Sequence, residues 1–265
     1  MATNRYNAIF AVVLCAFLTT TSCEENNSVP KMSNSQTAPQ TKAGQAARVT
    51  NYTFDGSEGD PITLEVARGW ISNYTGLNPN ATKAHFFSTA AIQSILSKSG
   101  CLGIRIYYSI DDNSNQALLL VGTNNTGKDM VPFYGINGKS SFNDLTNTTA
   151  TDVTATAAEA AVNDSIPGAT FSRWASNYVQ NNPSGLQAHF FGYQIIKDIL
   201  AEKGCVGIRI YYALNDAGVQ QLLLIGVTQN GTNLLPAASA VGRVEGGDNT
   251  IGDASVPCPT YCSGS

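Results

Sequence analysis

One segment of this chain occurs twice, and the two copies are 104 residues apart. The stretch GCLGIRIYYS begins at Gly100, and GCVGIRIYYA begins at Gly204. Without a gap, 29 of the 63 positions in residues 70–132 are identical to their counterparts in residues 174–236. Self-similarity at a fixed spacing is the signature of a structural repeat. The sequence therefore predicts one supersecondary unit that is used twice.

Each copy begins with two patterns that are typical of helices. In residues 62–74, apolar side chains recur every three or four positions; they are Leu64, Ala67, Ile71 and Tyr74. Asn78 and Pro79 then end the first helix, because proline cannot continue one. The stretch AHFFSTAAIQSILSKSG predicts a second helix that starts at Ala84 and ends before Gly100. Its apolar stripe is Ala84, Phe87, Ala91 and Ile95.

The repeated GIRIYY stretch has the alternation of a β-strand. Ile104, Ile106 and Tyr108 fall on one face, whereas Arg105 and Tyr107 fall on the other. A polar turn and a second apolar run, ALLLVG or LLLIGV, follow in each copy. These two runs predict a β-hairpin.

The fold class expected from these patterns is α+β. It consists of two homologous helix–helix–strand–strand units, at residues 61–138 and 165–242, packed as one pseudo-symmetric body. A unit of this size is marginal alone, because a small domain buries too little of its surface. Residues 139–164 are expected to be a linker, and residues 243–265 a C-terminal tail.

The N-terminus has the features of an export signal. Residues 1–22 contain Arg5 and a short apolar run that is typical of a signal peptide. The sequence TTTSC that ends at Cys23 resembles a bacterial lipobox, although Thr20 stands where leucine is usual. We expect lipidation of Cys23, with ordinary secretion and nearby cleavage as the alternative. Residues 23–60 are polar and are expected to form a disordered tether.

The charge of the chain limits its partners. Removal of residues 1–22 takes away only Arg5 among the charged side chains, which leaves 14 basic and 19 acidic residues and a net charge of −5. Nucleic acid requires a cationic surface, so this composition argues against it as a partner. It also argues against electrostatic binding to anionic lipid, and leaves the acyl chains on Cys23 as the membrane attachment.

Two pairs of reactive side chains recur in register, His85 with His189 and Cys101 with Cys205. A metal site on one helix face would need a second ligand four residues after each histidine, and none is present there; we expect no metal and no cofactor. A Cys–His nucleophilic pair would make the protein a hydrolase or peptidase-like enzyme. Each cysteine, however, is predicted to follow a helix C-terminus and enter an apolar strand, which favours an inert structural thiol.

The duplicated arginines and tyrosines are the best candidates for a binding face. Arg105 and Tyr107, like Arg209 and Tyr211, are predicted to lie beside each other on the strand face away from the helices. Planar hydrogen-bonding groups next to aromatic surface suit a carboxylate, a sugar or a peptide. The alternative is a structural ion pair, or an arginine stem that packs over the sheet.

The tail contains two further cysteines, Cys258 and Cys262, in the sequence VPCPTYC. Outside the cytoplasm, two cysteines this close in a proline-containing tail predict a local disulfide. A metal site at this position would lack a histidine or a second cysteine pair.

The combination of lipobox, polar tether, GCxGIRIYY, LLLxG and terminal CPxxC resembles uncharacterised surface lipoproteins of the Bacteroidetes. The resemblance covers most of the chain after Cys23. It implies a lipid-anchored protein of the outer membrane, exposed at the cell surface, and it brings no known activity or site residues. We therefore expect a non-enzymatic binding or structural role, with an unknown protein, peptide or glycan as the partner.

Overall fold

The structure, a computed structural model, describes residues 52–135, 165–236, 249–253 and 255–258. The predictions on the signal peptide, on Cys23 and on the linker at residues 139–164 lie outside the described residues. The elements of the first copy are β1 (Asp60–Ile62), α1 (Leu64–Leu77), β2 (Ala84–Ser88), α2 (Thr89–Leu96), β3 (Gly103–Ile110), β4 (Gln116–Thr123) and β5 (Asp129–Gly135). Those that follow are β6 (Ser165–Ile166), α3 (Gly168–Asn181), β7 (Ala188–Gly192), α4 (Tyr193–Leu200), β8 (Cys205–Leu214), β9 (Gln220–Thr228), β10 (Ile251–Asp253) and β11 (Val256–Cys258).

The first predicted helix of each copy is confirmed. The Thr63 side chain accepts a hydrogen bond from the Val66 backbone N–H and so caps the start of α1. The buried residues of α1 are the four of the predicted stripe, Leu64, Ala67, Ile71 and Tyr74. The predicted hairpin is confirmed as well, because β3 pairs antiparallel with β4 and β8 with β9.

The predicted arrangement of two helix–helix–strand–strand units is wrong. The repeated AHFF forms the strands β2 and β7 rather than the start of a helix. Helix α2 begins only at Thr89, where the Ser88 hydroxyl caps it by accepting from the Ala91 N–H. The fold is dominated by antiparallel sheets, with four helices in the described residues.

The two copies exchange strands. One sheet has the order β1-β10-β9-β8-β2, and the other has the order β11-β7-β3-β4-β5-β6. Strand β2 of the first copy pairs with β8 of the second, and β7 of the second copy pairs with β3 of the first. Each copy therefore donates the strand that follows its first helix to the GIRIYY strand of the other copy.

A glycine in the repeated motif permits this exchange. A Cβ atom at Gly103 would collide with the carbonyl oxygen of Phe191, and one at Gly207 would collide with the carbonyl oxygen of Phe87. Glycine is required where another backbone approaches so closely. The glycine at the fourth position of the GCxG motif is thus explained by the strand that arrives from the other copy.

Both faces of each sheet are covered. Residues of the inner faces, such as Ile106 and Ile210, share one apolar core with α2 and α4. Helix α1 covers the outer face of the five-stranded sheet. Helix α3 covers that of the six-stranded sheet. Because helices lie on the outer faces, the strand face opposite Ile106 is also interior.

The disordered tether was predicted to reach residue 60, and its last part is ordered instead. Phe54 is buried against Phe190, with ring centroids 4.5 Å apart. The Glu58 carboxylate accepts hydrogen bonds from the backbone N–H groups of Asp55 and Gly56. A buried aromatic ring and a satisfied turn fix a segment whose average composition is polar.

Candidate functional site

The Arg105 side chain lies in a buried cluster. It is 2% exposed, and its guanidinium donates to the Asp129 carboxylate and to the Gly127 carbonyl oxygen. The Tyr107 hydroxyl donates to the same carboxylate at 2.6 Å. Burial raises the pKa of Asp129, although the neighbouring Arg105 charge opposes that shift. Burial also raises the pKa of Tyr107, so this hydroxyl stays protonated.

The second copy builds the same cluster around an amide. Arg209 is 0% exposed and donates to the Asn233 side-chain oxygen and to the Gly231 carbonyl oxygen. The Asn233 amide donates to the Tyr211 hydroxyl at 2.7 Å. Asn233 stands 104 residues after Asp129, so an amide replaces the carboxylate at the equivalent position.

The expectation that these arginines and tyrosines are accessible is wrong. Alternation places Arg105 and Tyr107 on the outer face of β3, but α3 packs on that face. Phe171 of α3 makes an edge-to-face contact with Tyr107, with ring centroids 5.2 Å apart. For Arg105, the observed contacts are those of the structural ion pair.

The two histidines are buried in the exchanged strands. His85 lies on β2 and His189 on β7, rather than in the first turn of a helix. Burial lowers the pKa of His85 to about 4 and that of His189 to about 3. The His189 Nδ1 atom lies 2.6 Å from the Ser255 hydroxyl. Both rings are therefore neutral at pH 7.

A row of stacked tyrosines joins the two copies. The ring order is Tyr74, Tyr212, Tyr108, Tyr178, with centroids 5.5, 6.0 and 5.4 Å apart. The two histidines contact the inner pair edge-on, His85 on Tyr212 and His189 on Tyr108. Sequence reasoning missed this row, although the recurrence of each tyrosine after 104 residues was visible. The row is core packing, because all four rings are buried.

The geometry does not bring histidine and cysteine together. His85 belongs to the five-stranded sheet, whereas Cys101 precedes β3 of the six-stranded one. Across copies, His189 lies opposite Ile106 in register. The Cys101 thiol donates to the Gly103 carbonyl oxygen, which lies three residues away from Ile106, or about 10 Å along the strand.

Both free thiols are held in the protonated state. Burial raises the pKa of Cys101 and of Cys205. The Glu202 carboxylate adds to this effect at Cys205, because a nearby negative charge disfavours a thiolate. Burial raises the pKa of Glu202 itself to about 7, and its Oε1 accepts from the Thr250 N–H. Glu202 was not among the predicted site residues.

The remaining cysteine prediction places a disulfide in the C-terminal tail. Cys258 lies buried at the end of β11 and is not one of the free thiols. Its predicted partner Cys262 lies outside the described residues, so the disulfide stays a prediction. In the part of the chain that the structure describes, no three His, Cys, Asp or Glu residues form a group that could hold a metal ion.

Two open grooves lie on the surface. The larger, about 470 Å³, is formed by the C-terminal half of α1 and the turn between β8 and β9. We call it the α1 groove; its lining includes Ser72, Asn73, Gly76, Leu77, Asn215 and Asp216. Leu77 is 77% exposed there. The smaller groove, about 400 Å³, is lined by residues 55–57 together with Cys101, Leu102 and Tyr193.

Comparison with known proteins gives no assignment. No protein family model, no curated protein and no solved structure matches the chain. Within the described ranges, none of the helices has the length and apolar character needed to span a membrane.

Proposed function

We propose that this protein is a non-enzymatic lipoprotein, anchored to the outer membrane through Cys23 and exposed at the cell surface, whose folded body binds a partner. The observation that carries this proposal is the position of the duplicated polar residues. Arg105, Arg209, His85 and His189 all lie inside the exchanged sheets. These positions support a structural role for them and leave recognition to the surface.

The alternative, a hydrolase or peptidase-like enzyme using the duplicated Cys–His pairs, has less support. A catalytic thiol needs a lowered pKa and a base within hydrogen-bond reach. Burial raises the pKa of Cys101. His189 of the other copy pairs with Ile106, which lies three residues, or about 10 Å along the strand, from the Gly103 that the Cys101 thiol contacts.

The α1 groove is the surface that best suits binding. Its exposed Leu77 supplies apolar contact area, and Ser72 and Asp216 supply polar groups beside it. A site of this kind combines apolar surface with a few polar groups that orient the ligand. We propose this groove as the partner-binding surface.

Membrane fractionation tests the anchor. With Cys23→Ala, we expect the protein to be released from membranes or to accumulate as a precursor with its leader attached. A cleaved, unlipidated Cys23→Ala protein that stays in the membrane fraction contradicts the proposed anchor.

Affinity purification from native membranes tests the binding surface. A specific partner should be recovered with the wild-type chain and lost with Leu77→Asn. Val131→Asn is the matched control, because Val131 is also an exposed apolar residue, at 68%, and lies on β5 away from the groove lining. If Leu77→Asn recovers as much of the partner as Val131→Asn does, the α1 groove is not the binding surface. A peptidase activity abolished by Cys101→Ser or Cys205→Ser would instead establish the enzyme.

A further inference from the structure

The two copies differ at one pair of equivalent surface sites. On α3, the Arg173 guanidinium makes two parallel hydrogen bonds to the Asp112 carboxylate, at 2.7 and 2.8 Å. Asp112 lies in the turn between β3 and β4, so this bridge ties the helix to the hairpin. Both side chains are 51% exposed. The Arg173–Asp112 bridge thus occupies the surface between α3 and the β3–β4 turn.

The α1 groove contains the same carboxylate without the arginine. Asp216 stands 104 residues after Asp112, whereas Gly69 stands where Arg173 is expected. Asp216 is exposed and has no ion-pair partner among the described residues.

The backbones of the two sites correspond closely. The Asn73 side chain donates to the Leu214 carbonyl oxygen at 3.2 Å. At the equivalent site, the Asn177 side chain of α3 donates to the Ile110 carbonyl oxygen of β3 at 3.1 Å. The helix and the turn are therefore held together in the same way at both sites, and Gly69, one turn before Asn73 on α1, has no side chain that could reach Asp216.

Close packing does not require the two glycines on this face of α1, Gly76 in the groove lining and Gly69 two turns before it. A Cβ atom at Gly69 or at Gly76 would meet no atom within 4 Å. Glycine in a helix interior is destabilising, so Gly69 costs stability without relieving a clash, and Gly76, in the last turn of α1, is not required by close packing either. Leu77 is exposed at the edge of the groove, where α3 has the polar Asn181.

We propose that the α1 groove binds an arginine side chain of a protein partner, with the guanidinium on Asp216 and a neighbouring apolar residue on Leu77. This inference rests on the proposed binding role and names the chemistry of the partner. Arg173 on Asp112 shows the geometry that the incoming arginine adopts. Arginine is preferred over lysine because its planar fork matches a carboxylate with two parallel bonds.

Fluorescence anisotropy with the purified full-length chain tests the proposal. The probe is a fluorescein-labelled Leu-Arg-Leu peptide with an amidated C-terminus, and the control replaces arginine by citrulline, which has a similar shape and no charge. We expect the arginine peptide to bind about fivefold more tightly, the upper range for one solvent-exposed ion pair. Asp216→Asn should remove this preference, whereas Asp112→Asn, the same change in the other copy, should leave it intact.

Filling and opening the two sites gives a second test. Gly69→Arg should recreate the internal bridge, block the groove and abolish binding while the protein stays folded by circular dichroism. Arg173→Gly should add a second binding site. Equal affinity for the two peptides, or unchanged binding by Gly69→Arg, overturns the proposal. The assay needs no membrane and no native partner, so a failed lipid anchor would not affect its result.

Discussion

Replacement of Asp129 by asparagine should cost far less stability than its replacement by alanine. The second copy supplies the reason. Asn233 occupies the position of Asp129 and serves both neighbours, since its oxygen accepts from Arg209 and its amide donates to Tyr211. An asparagine at position 129 can make the same two contacts with Arg105 and Tyr107.

The magnitudes follow from burial. Removal of one partner of a buried ion pair leaves an uncompensated charge, and typically costs about 3–5 kcal/mol. Asp129→Ala does this to Arg105, which is 2% exposed. Asp129→Asn keeps a neutral acceptor and removes a carboxylate whose ionisation is disfavoured by burial, as its raised pKa shows. We expect a cost of about 1 kcal/mol, the net value of one hydrogen bond.

Urea denaturation followed by tryptophan fluorescence measures both variants. The pH dependence supplies a second check. Because the folded-state pKa of Asp129 lies above 3.8, its contribution to stability is full below pH 3.8 and is lost as the pH rises through the raised value. Asp129→Asn should lack this dependence. If Asp129→Asn costs as much as Asp129→Ala at pH 7, the two clusters are not equivalent and the reasoning fails.

Three further predictions concern the exchanged strands. His85 is buried with a pKa of about 4, so its contribution to stability is full above about pH 6.5 and is lost as the pH falls toward 4. His85→Phe should therefore make the free energy of unfolding depend less on pH between 6.5 and 4. An acid-unfolding curve with the wild-type pH dependence would contradict this prediction. Gly103→Ala should destabilise the protein by about 1–3 kcal/mol in urea, because the added methyl group meets the Phe191 carbonyl oxygen; a wild-type midpoint would contradict the close approach. Residues 52–135 and 165–258, expressed separately, should lack native circular dichroism and regain it on mixing, and a folded monomeric half would refute the exchange.

Local patterns were sufficient for the elements that satisfy their own hydrogen bonds or pair with a sequence neighbour. Helix α1 has a capping threonine, a four-residue apolar stripe and a terminating Asn-Pro, all within residues 63–79. The β3–β4 hairpin closes over a short polar turn. The duplication itself was also fully visible, since it needs only a comparison of the chain with itself.

The pattern around AHFF was misleading. Ala84, Phe87, Ala91 and Ile95 fit a helical stripe, and all four are indeed buried. The first two, however, belong to a strand, because residues 84–88 obtain their backbone partners from β8, more than 100 residues later. A local window contains no information on a partner so distant, so the sequence predicted a longer helix.

The candidate site shows the same division between sequence and tertiary structure. Sequence alone determined which side chains recur, and that Arg105 and Tyr107 share the face opposite Ile106. Only the tertiary structure decided that this face is interior, because α3, a helix of the other copy, packs over it. It also decided that one groove is filled and its counterpart is open. The difference between Gly69 and Arg173 acquires meaning only when the helix and the turn that carry the paired aspartates lie side by side.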